Sequence, residues 1–137
     1  MTVGLVIVSH SVRLAEGVVE LAEQMAQGKV AIAAAGGTSE GDLGTSVDKI
    51  VVALQHVRES DGILVLLDLG SAVMATEMAV EAFAQESCCP VVMSSAPLVE
   101  GAVIAAVEAS IGNSLQEVAE AAAEAHTLPK VQAHQPL

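Results

Sequence analysis

The chain has 137 residues, a formal net charge of −12 and 53% hydrophobic residues, among which Phe83 is the one aromatic. That length closes a hydrophobic core without disulfides or a structural metal. The charge disfavours phosphate-backbone partners, and the lack of Trp and Tyr leaves no platform for stacked bases or a flavin, so nucleic-acid binding is not expected.

Four apolar runs alternate with helical patterns. Residues 3–9 read as a buried strand, followed by Leu14, Val18, Leu21, Ala22 and Met25 at helical spacing up to Gly28. The second run, Val30 to Ala35, ends in Gly36-Gly37-Thr38, and beyond a Gly-rich loop a helix is expected from Ser46 to about Glu59. A third run, Ile63 to Leu67, leads through Asp68-Leu69-Gly70-Ser71 into a helix reaching about Gln85. The fourth, Pro90 to Met93, leads through Ser94-Ser95-Ala96-Pro97 into a helix ending near Gly112, and a last helix spans roughly Ser114 to His126. Strand then helix, four times over, predicts an α/β fold: a doubly wound parallel sheet of four strands in the order 2-1-3-4, flanked by about five helices. Residues 1–127 form the expected domain. The aperiodic stretch 128–137, with His134 and Gln135, reads as a mobile tail.

No positively charged leader precedes an apolar segment, and the N-terminal apolar run is far shorter than a membrane span. A cytoplasmic protein that does not enter membranes is therefore expected. The adjacent Cys88 and Cys89 lack metal-ligand spacing and are expected as buried small hydrophobes at the start of a strand; no metal site is expected. An acidic surface suits either a basic partner or plain solubility. The helices at about 71–85 and 98–112 are apolar over most of their circumference, which predicts a homodimer through them.

In the order 2-1-3-4, strands 1 and 3 are neighbours whose connections leave to opposite sides, which creates a crevice at their carboxyl ends. Those ends carry His10 and Asp68. An Asp68 carboxylate that accepts from one ring nitrogen of His10 would fix the tautomer and leave the other nitrogen with a directed lone pair. Ser9 is expected to point away, and no GxSxG motif accompanies it, so the histidine rather than a serine is the expected nucleophile. Gly37 and Thr38 after strand 2, and Gly70 and Ser71 after strand 3, stand where backbone N–H groups at loop and helix starts bind a phosphoryl group. Each residue also has a plainer reading: a turn for Gly36-Gly37, a helix cap for Ser71 or Ser95, a cap for Asp68. Arg13 is expected to steer phosphate or to be solvated, and His56, His126 and His134 to lie on the surface.

The segments Leu5-Val6-Ile7-Val8-Ser9-His10-Ser11, Leu14-Ala15-Glu16-Gly17, Val65-Leu66-Leu67-Asp68-Leu69-Gly70-Ser71-Ala72 and Ala96-Pro97-Leu98-Val99-Glu100-Gly101 resemble the DhaM family. DhaM proteins are phosphotransferase subunits of phosphoenolpyruvate-dependent dihydroxyacetone kinases, and the likeness covers about residues 2–126. The DhaM N-terminal domain is in turn similar to the dimeric IIA component of mannose-family sugar phosphotransferase systems (PTS). The resemblance implies a phosphotransferase in which His10 is phosphorylated and Asp68 orients it, with no cofactor. It further implies that HPr is the phosphoryl donor. The acceptor would be ADP bound on DhaL, which acts with DhaK on dihydroxyacetone. A separate HPr is expected, because some DhaM chains continue into HPr-like domains and this sequence stops at residue 137. Ser11 and Asp68-Leu69-Gly70-Ser71 stand where sugar-transport IIA domains usually carry a glycine and a longer Gly-rich turn, which favours the dihydroxyacetone branch. Three alternatives stay open: a sugar-transport IIA component, a receiver-like switch phosphorylated on Asp68, and a plain binding module. The receiver lacks the acidic pair that should follow strand 1.

Overall fold

The computed structural model describes residues 2–133 and residue 136; His134, Gln135 and Leu137 of the expected tail lie outside the described residues. Four parallel strands, β1 (Gly4–Ser9), β2 (Ile32–Gly36), β3 (Ile63–Leu67) and β4 (Val91–Met93), form one sheet in the order β2-β1-β3-β4, as the sequence predicts. The second strand sits two residues later than its apolar run begins: Val30 is buried ahead of the ladder, and Gly36 extends the pairing opposite Ser9.

Burial explains why these runs are strands. Leu5 to Val8 and Ile63 to Leu66 are all 0% exposed, so both faces of each central strand are covered, as parallel sheets require. Alternation then sorts the side chains. Leu5, Ile7, Leu64 and Leu66 join the cluster under α1 (Val12–Ala26), α4 (Leu98–Ser110) and α5 (Leu115–Ala123). Val6, Val8, Ile63 and Val65 join the cluster under α2 (Val47–His56) and α3 (Ala72–Ala84), which also holds Phe83. Small residues do much of the fitting: Ala102, Ala105, Ala106 and Ala109 are fully buried along α4, which packs between α1 and α5. Helix starts are set by serines. Ser11 accepts from the Leu14 N–H, Ser46 from the Lys49 N–H, and Ser114 forms a reciprocal box with Glu117, each such cap contributing about 1 kcal/mol. A short 3₁₀ turn, Glu124–Thr127, is the last regular element among the described residues.

Three expectations change. Cys88 is exposed and only Cys89 is partly buried, because both precede the edge strand β4 instead of lying within it. The two apolar helices taken together as one contact surface, α3 and α4, lie on opposite faces of the sheet. Neither Ser71 nor Ser95 caps a helix: Ser71 makes no capping bond to α3, and the cap position of α4, which begins at Leu98, is Pro97. His56 and His126 are exposed, as expected.

Gly36 fixes how closely α1 approaches the sheet. A Cβ there would stand 2.6 Å from the Ser11 carbonyl oxygen and 2.8 Å from the Val12 Cα, atoms of stiff backbone. Gly36→Ala is accordingly expected to cost about 1–3 kcal/mol of unfolding free energy, measured by urea denaturation.

Candidate active site at the carboxyl rim of the sheet

The ladder between β1 and β3 pairs Val8 with Leu67, and the Asp68 N–H continues it by donating to the Val8 carbonyl at 3.1 Å. Residues 58 positions apart are thereby brought side by side. The His10 Nδ1 lies 3.0 Å from Asp68 Oδ1. A carboxylate can only accept, so the ring carries its proton on Nδ1 and donates it to Asp68.

Asp68 is gripped from four directions. Oδ1 accepts from the His10 ring and, at 2.7 Å, from the Leu69 N–H; Oδ2 accepts from the His10 N–H at 2.9 Å and from the Ser9 hydroxyl at 2.9 Å. Burial opposes ionisation of this carboxyl, but the hydrogen bonds from the His10 amide, the His10 ring, Ser9 and Leu69 outweigh it and hold the pKa below the ordinary value of 3.8. The group stays a carboxylate at neutral pH.

The other ring nitrogen faces outward. His10 Nε2 lies 3.0 Å from the Ser71 hydroxyl, and the imidazole is 26% exposed. With the ring proton on Nδ1, the Ser71 hydroxyl rests against the Nε2 lone pair and can donate to it. The N–H groups of Gly70 and Ser71, on the turn that opens α3, have no acceptor among the described residues, so the turn that brings the Ser71 hydroxyl to Nε2 also carries free donors.

The two residues after β2 behave differently. Gly37, with φ of 74°, donates its N–H to the Ser9 carbonyl; Thr38 donates its N–H to the Asp42 carbonyl and accepts the Asp42 N–H on its hydroxyl. Their backbone donors are spent in shaping the loop, and neither residue is hydrogen-bonded to the imidazole among the described contacts. The loop nonetheless closes on the site, because the Gly44 N–H donates to the His10 carbonyl at 2.9 Å. Arg13 is exposed and lines a surface recess with Ser11, Gly41, Asp42 and Leu43.

Ser9 is where the sequence reading erred. It does not point away from the site: 0% exposed, its hydroxyl donates to Asp68 and accepts the Ser11 N–H at 3.0 Å. Strand alternation stops applying at the last residue of β1, where the chain turns. The available signal was a hydroxyl inside an otherwise apolar run, since a buried hydroxyl must find a partner.

The site is a shallow rim, with a recess of about 200 Å³ between Leu67–Gly70 and Ser94-Ser95. A recess of about 570 Å³ lies over β2 between α1 and α2 and does not include His10. A part-exposed imidazole on a shallow rim suits contact with another protein better than enclosure of a small substrate.

Residues 4–119 match the family model EIIA-man, described as PTS system fructose IIA component. The fold and the rim histidine thus belong to a phosphotransferase-system IIA domain, and the chain is a member of that family. Two curated relatives narrow the placement. The chain is 44% identical over 119 residues to the PEP-dependent dihydroxyacetone kinase, phosphoryl donor subunit DhaM, of Escherichia coli (strain K12), which covers 85% of this chain but 25% of that protein. It is 33% identical to the DhaM subunit of PEP-dependent dihydroxyacetone kinase 2 of Listeria innocua, over 90% of this chain and 99% of that protein. Within the IIA family the chain belongs to the DhaM group, and it spans about a quarter of the length of the E. coli relative. Among solved structures, a protein of unknown function, EF1359, superposes with a TM-score of 0.77 at 33% identity, covering 90% of this chain and 95% of that one. The phosphotransferase system component EIIA from Streptococcus agalactiae, at 15% identity and a TM-score of 0.67 over 91% and 92%, shares the fold.

Asp68→Asn tests the electrostatic reading. Since the folded carboxyl is held below its ordinary value, the stability from its ionisation is fully present above about pH 4 and is lost as pH falls through the folded pKa. The stability difference between wild type and Asp68→Asn is expected to be flat near neutrality and to shrink below about pH 4, read from urea midpoints at each pH.

Proposed function

We propose that this chain is a phosphocarrier, the phosphoryl donor subunit of a phosphoenolpyruvate-dependent dihydroxyacetone kinase, working in the cytoplasm. The observation that carries the reading is the asymmetry of the His10 ring, with Nδ1 bonded to a carboxylate and Nε2 open beside a hydroxyl and two unpaired N–H groups. Hydrolysis would need an activated serine or water, whereas this arrangement prepares the imidazole itself.

In the proposed cycle the donor is the phosphohistidine of HPr. Ser71 rotates off the Nε2 lone pair, which attacks phosphorus in line; the N–P bond to Nε2 forms as the donor's N–P bond breaks, and that bond's electrons stay on the donor ring. The proton on Nδ1 remains there. The ring gains positive character as it bonds phosphorus, and the Asp68 carboxylate 3.0 Å away stabilises it. The freed Ser71 hydroxyl and the N–H groups of Gly70 and Ser71 take the phosphoryl oxygens, offsetting the acidic surface because oriented donors at contact outweigh distant screened charges. In the second transfer a β-phosphate oxygen of ADP held on DhaL attacks phosphorus, the Nε2–P bond breaks, and its electron pair returns to His10. DhaL together with DhaK then uses the ATP on dihydroxyacetone. Catalysis here is positioning and charge stabilisation. Gly37 and Thr38 act in this scheme by shaping the opposite wall of the rim.

The chain is proposed to act as a homodimer. Support comes from α3, whose outer side carries Met74 at 74% and Met78 at 56% exposure together with the exposed Val73, and from β4, which leaves one edge of the sheet open. An apolar helix beside an open sheet edge exposes area that a second copy would bury. The pair Met74→Glu and Met78→Lys is expected to yield a monomer where the wild type scatters light as a dimer; a wild-type monomer would sink the claim.

Wild-type protein incubated with HPr, enzyme I and phosphoenolpyruvate is expected to gain one phosphoryl group that is lost in acid and kept in base. His10→Ala is expected to gain none while keeping its fold. Label retained in His10→Ala, or a base-labile acyl phosphate, would overturn the reading. Asp68→Asn is expected to slow labelling by about 10- to 100-fold, the usual cost of losing a carboxylate that orients a histidine.

A further inference from the structure

Between the strand that ends at Ser9 and the helix that begins after Ser11, one buried hydroxyl ties three things together. Ser9 Oγ donates to Asp68 Oδ2 at 2.9 Å and accepts the Ser11 N–H at 3.0 Å, and the residue is 0% exposed. The residues on both sides of His10 are therefore linked through a single oxygen atom. The same Asp68 oxygen accepts the His10 N–H, while its twin accepts the His10 ring. Oδ2 thus has two donors, the Ser9 hydroxyl and the His10 N–H, and the side-chain donor fixes the plane in which Oδ1 meets Nδ1; without it that oxygen keeps the His10 N–H alone.

We infer that Ser9 is a positioning residue for phosphoryl transfer: its hydroxyl locks the Asp68 carboxylate and the turn carrying His10, so that the ring keeps its proton on Nδ1 and its lone pair on Nε2. This rests on the phosphocarrier reading for its effect on transfer, but not for its effect on the ring. Removing the hydroxyl takes one of four donors from Asp68 and the acceptor from the Ser11 N–H at the start of α1. The imidazole then exchanges more freely between its two neutral forms, and the form protonated on Nε2 has no lone pair with which to attack. Ser9 touches neither the phosphoryl group nor Nε2 in this scheme and acts through Asp68.

The test uses the full chain. Ring ¹⁵N chemical shifts of His10 report the tautomer directly and need no phosphoryl donor. Ser9→Ala is expected to raise the fraction protonated on Nε2 and to slow labelling from phospho-HPr by about 10-fold, while Ser9→Thr, which keeps a hydroxyl, restores both. In an Asp68→Asn background Ser9→Ala is expected to add nothing, the mark of two residues acting as one unit. If Ser9→Ala fails to fold, Ser9→Cys, with a weaker donor in similar volume, carries the same measurements. A substitution that lowers the melting temperature yet leaves the tautomer ratio and the labelling rate per folded molecule at wild-type values would overturn the inference. A shifted tautomer in a protein whose wild type takes no label from phospho-HPr would sink the phosphocarrier reading and leave the Ser9 linkage standing.

Discussion

One carboxylate organises the working end of this molecule. Asp68 sits a step beyond the last paired residue of β3 and collects the His10 ring, the His10 and Leu69 amides and the Ser9 hydroxyl. Desolvating a charge costs free energy, and these donors recover it, so the group remains ionised where an isolated buried carboxyl would not. Its position depends on register. A slip of β3 against β1 by one residue would turn Asp68 toward the other face and separate it from His10, and the fully buried Val65 and Leu66, which face opposite clusters, make that slip prohibitive. The core thus specifies the chemistry indirectly, by fixing which side chain emerges at the rim.

The strand and helix pattern was legible because it rests on local signals. Continuous β-branched runs, Gly-rich breaks and serines at helix starts each carry their own meaning, and strand order follows from short right-handed connections. His10 and Asp68 could be paired from sequence for the same reason: both stand at strand ends, and neighbouring parallel strands bring their ends together. Ser9 and Ser71 could not be read that way. Their roles depend on how the chain turns after the strand, over two or three residues, where alternation no longer dictates direction. The choice between a capping hydroxyl and one that meets an imidazole is made by backbone angles that composition does not encode; Ser71, with φ of −66° and ψ of −16°, is already helical and cannot cap as Ser11 does.

Apolar circumference also misled for a physical reason. A helix between two others and a helix at an open edge can carry the same apolar fraction. In α4 most of that surface is taken by α1, α5 and the sheet, leaving Val99 and Val107 at 41% and 42% exposure, whereas in α3 Met74 and Met78 stand at 74% and 56%. Periodicity counts apolar positions without knowing how many neighbours will take them, and neighbour number is a property of topology.

Net charge and local field act at different ranges, and in the proposed cycle that separation lets an acidic protein hold a phosphoryl group. At physiological ionic strength charges more than roughly 8 Å apart through solvent are largely screened, so the −12 total acts mainly on encounter with a partner. Around Nε2 the relevant groups are dipoles: the Ser71 hydroxyl at 3.0 Å, and the N–H groups of Gly70 and Ser71 on the turn that carries it. The nearest carboxylate, Asp68, has both oxygens turned inward onto donors, so its negative charge is presented to the ring and not to the incoming phosphate. An orienting acid that faced outward would repel the group its histidine must accept. In the proposed cycle the inward grip on Asp68, to which Ser9 contributes, is therefore as much a condition for receiving phosphate as for choosing the tautomer.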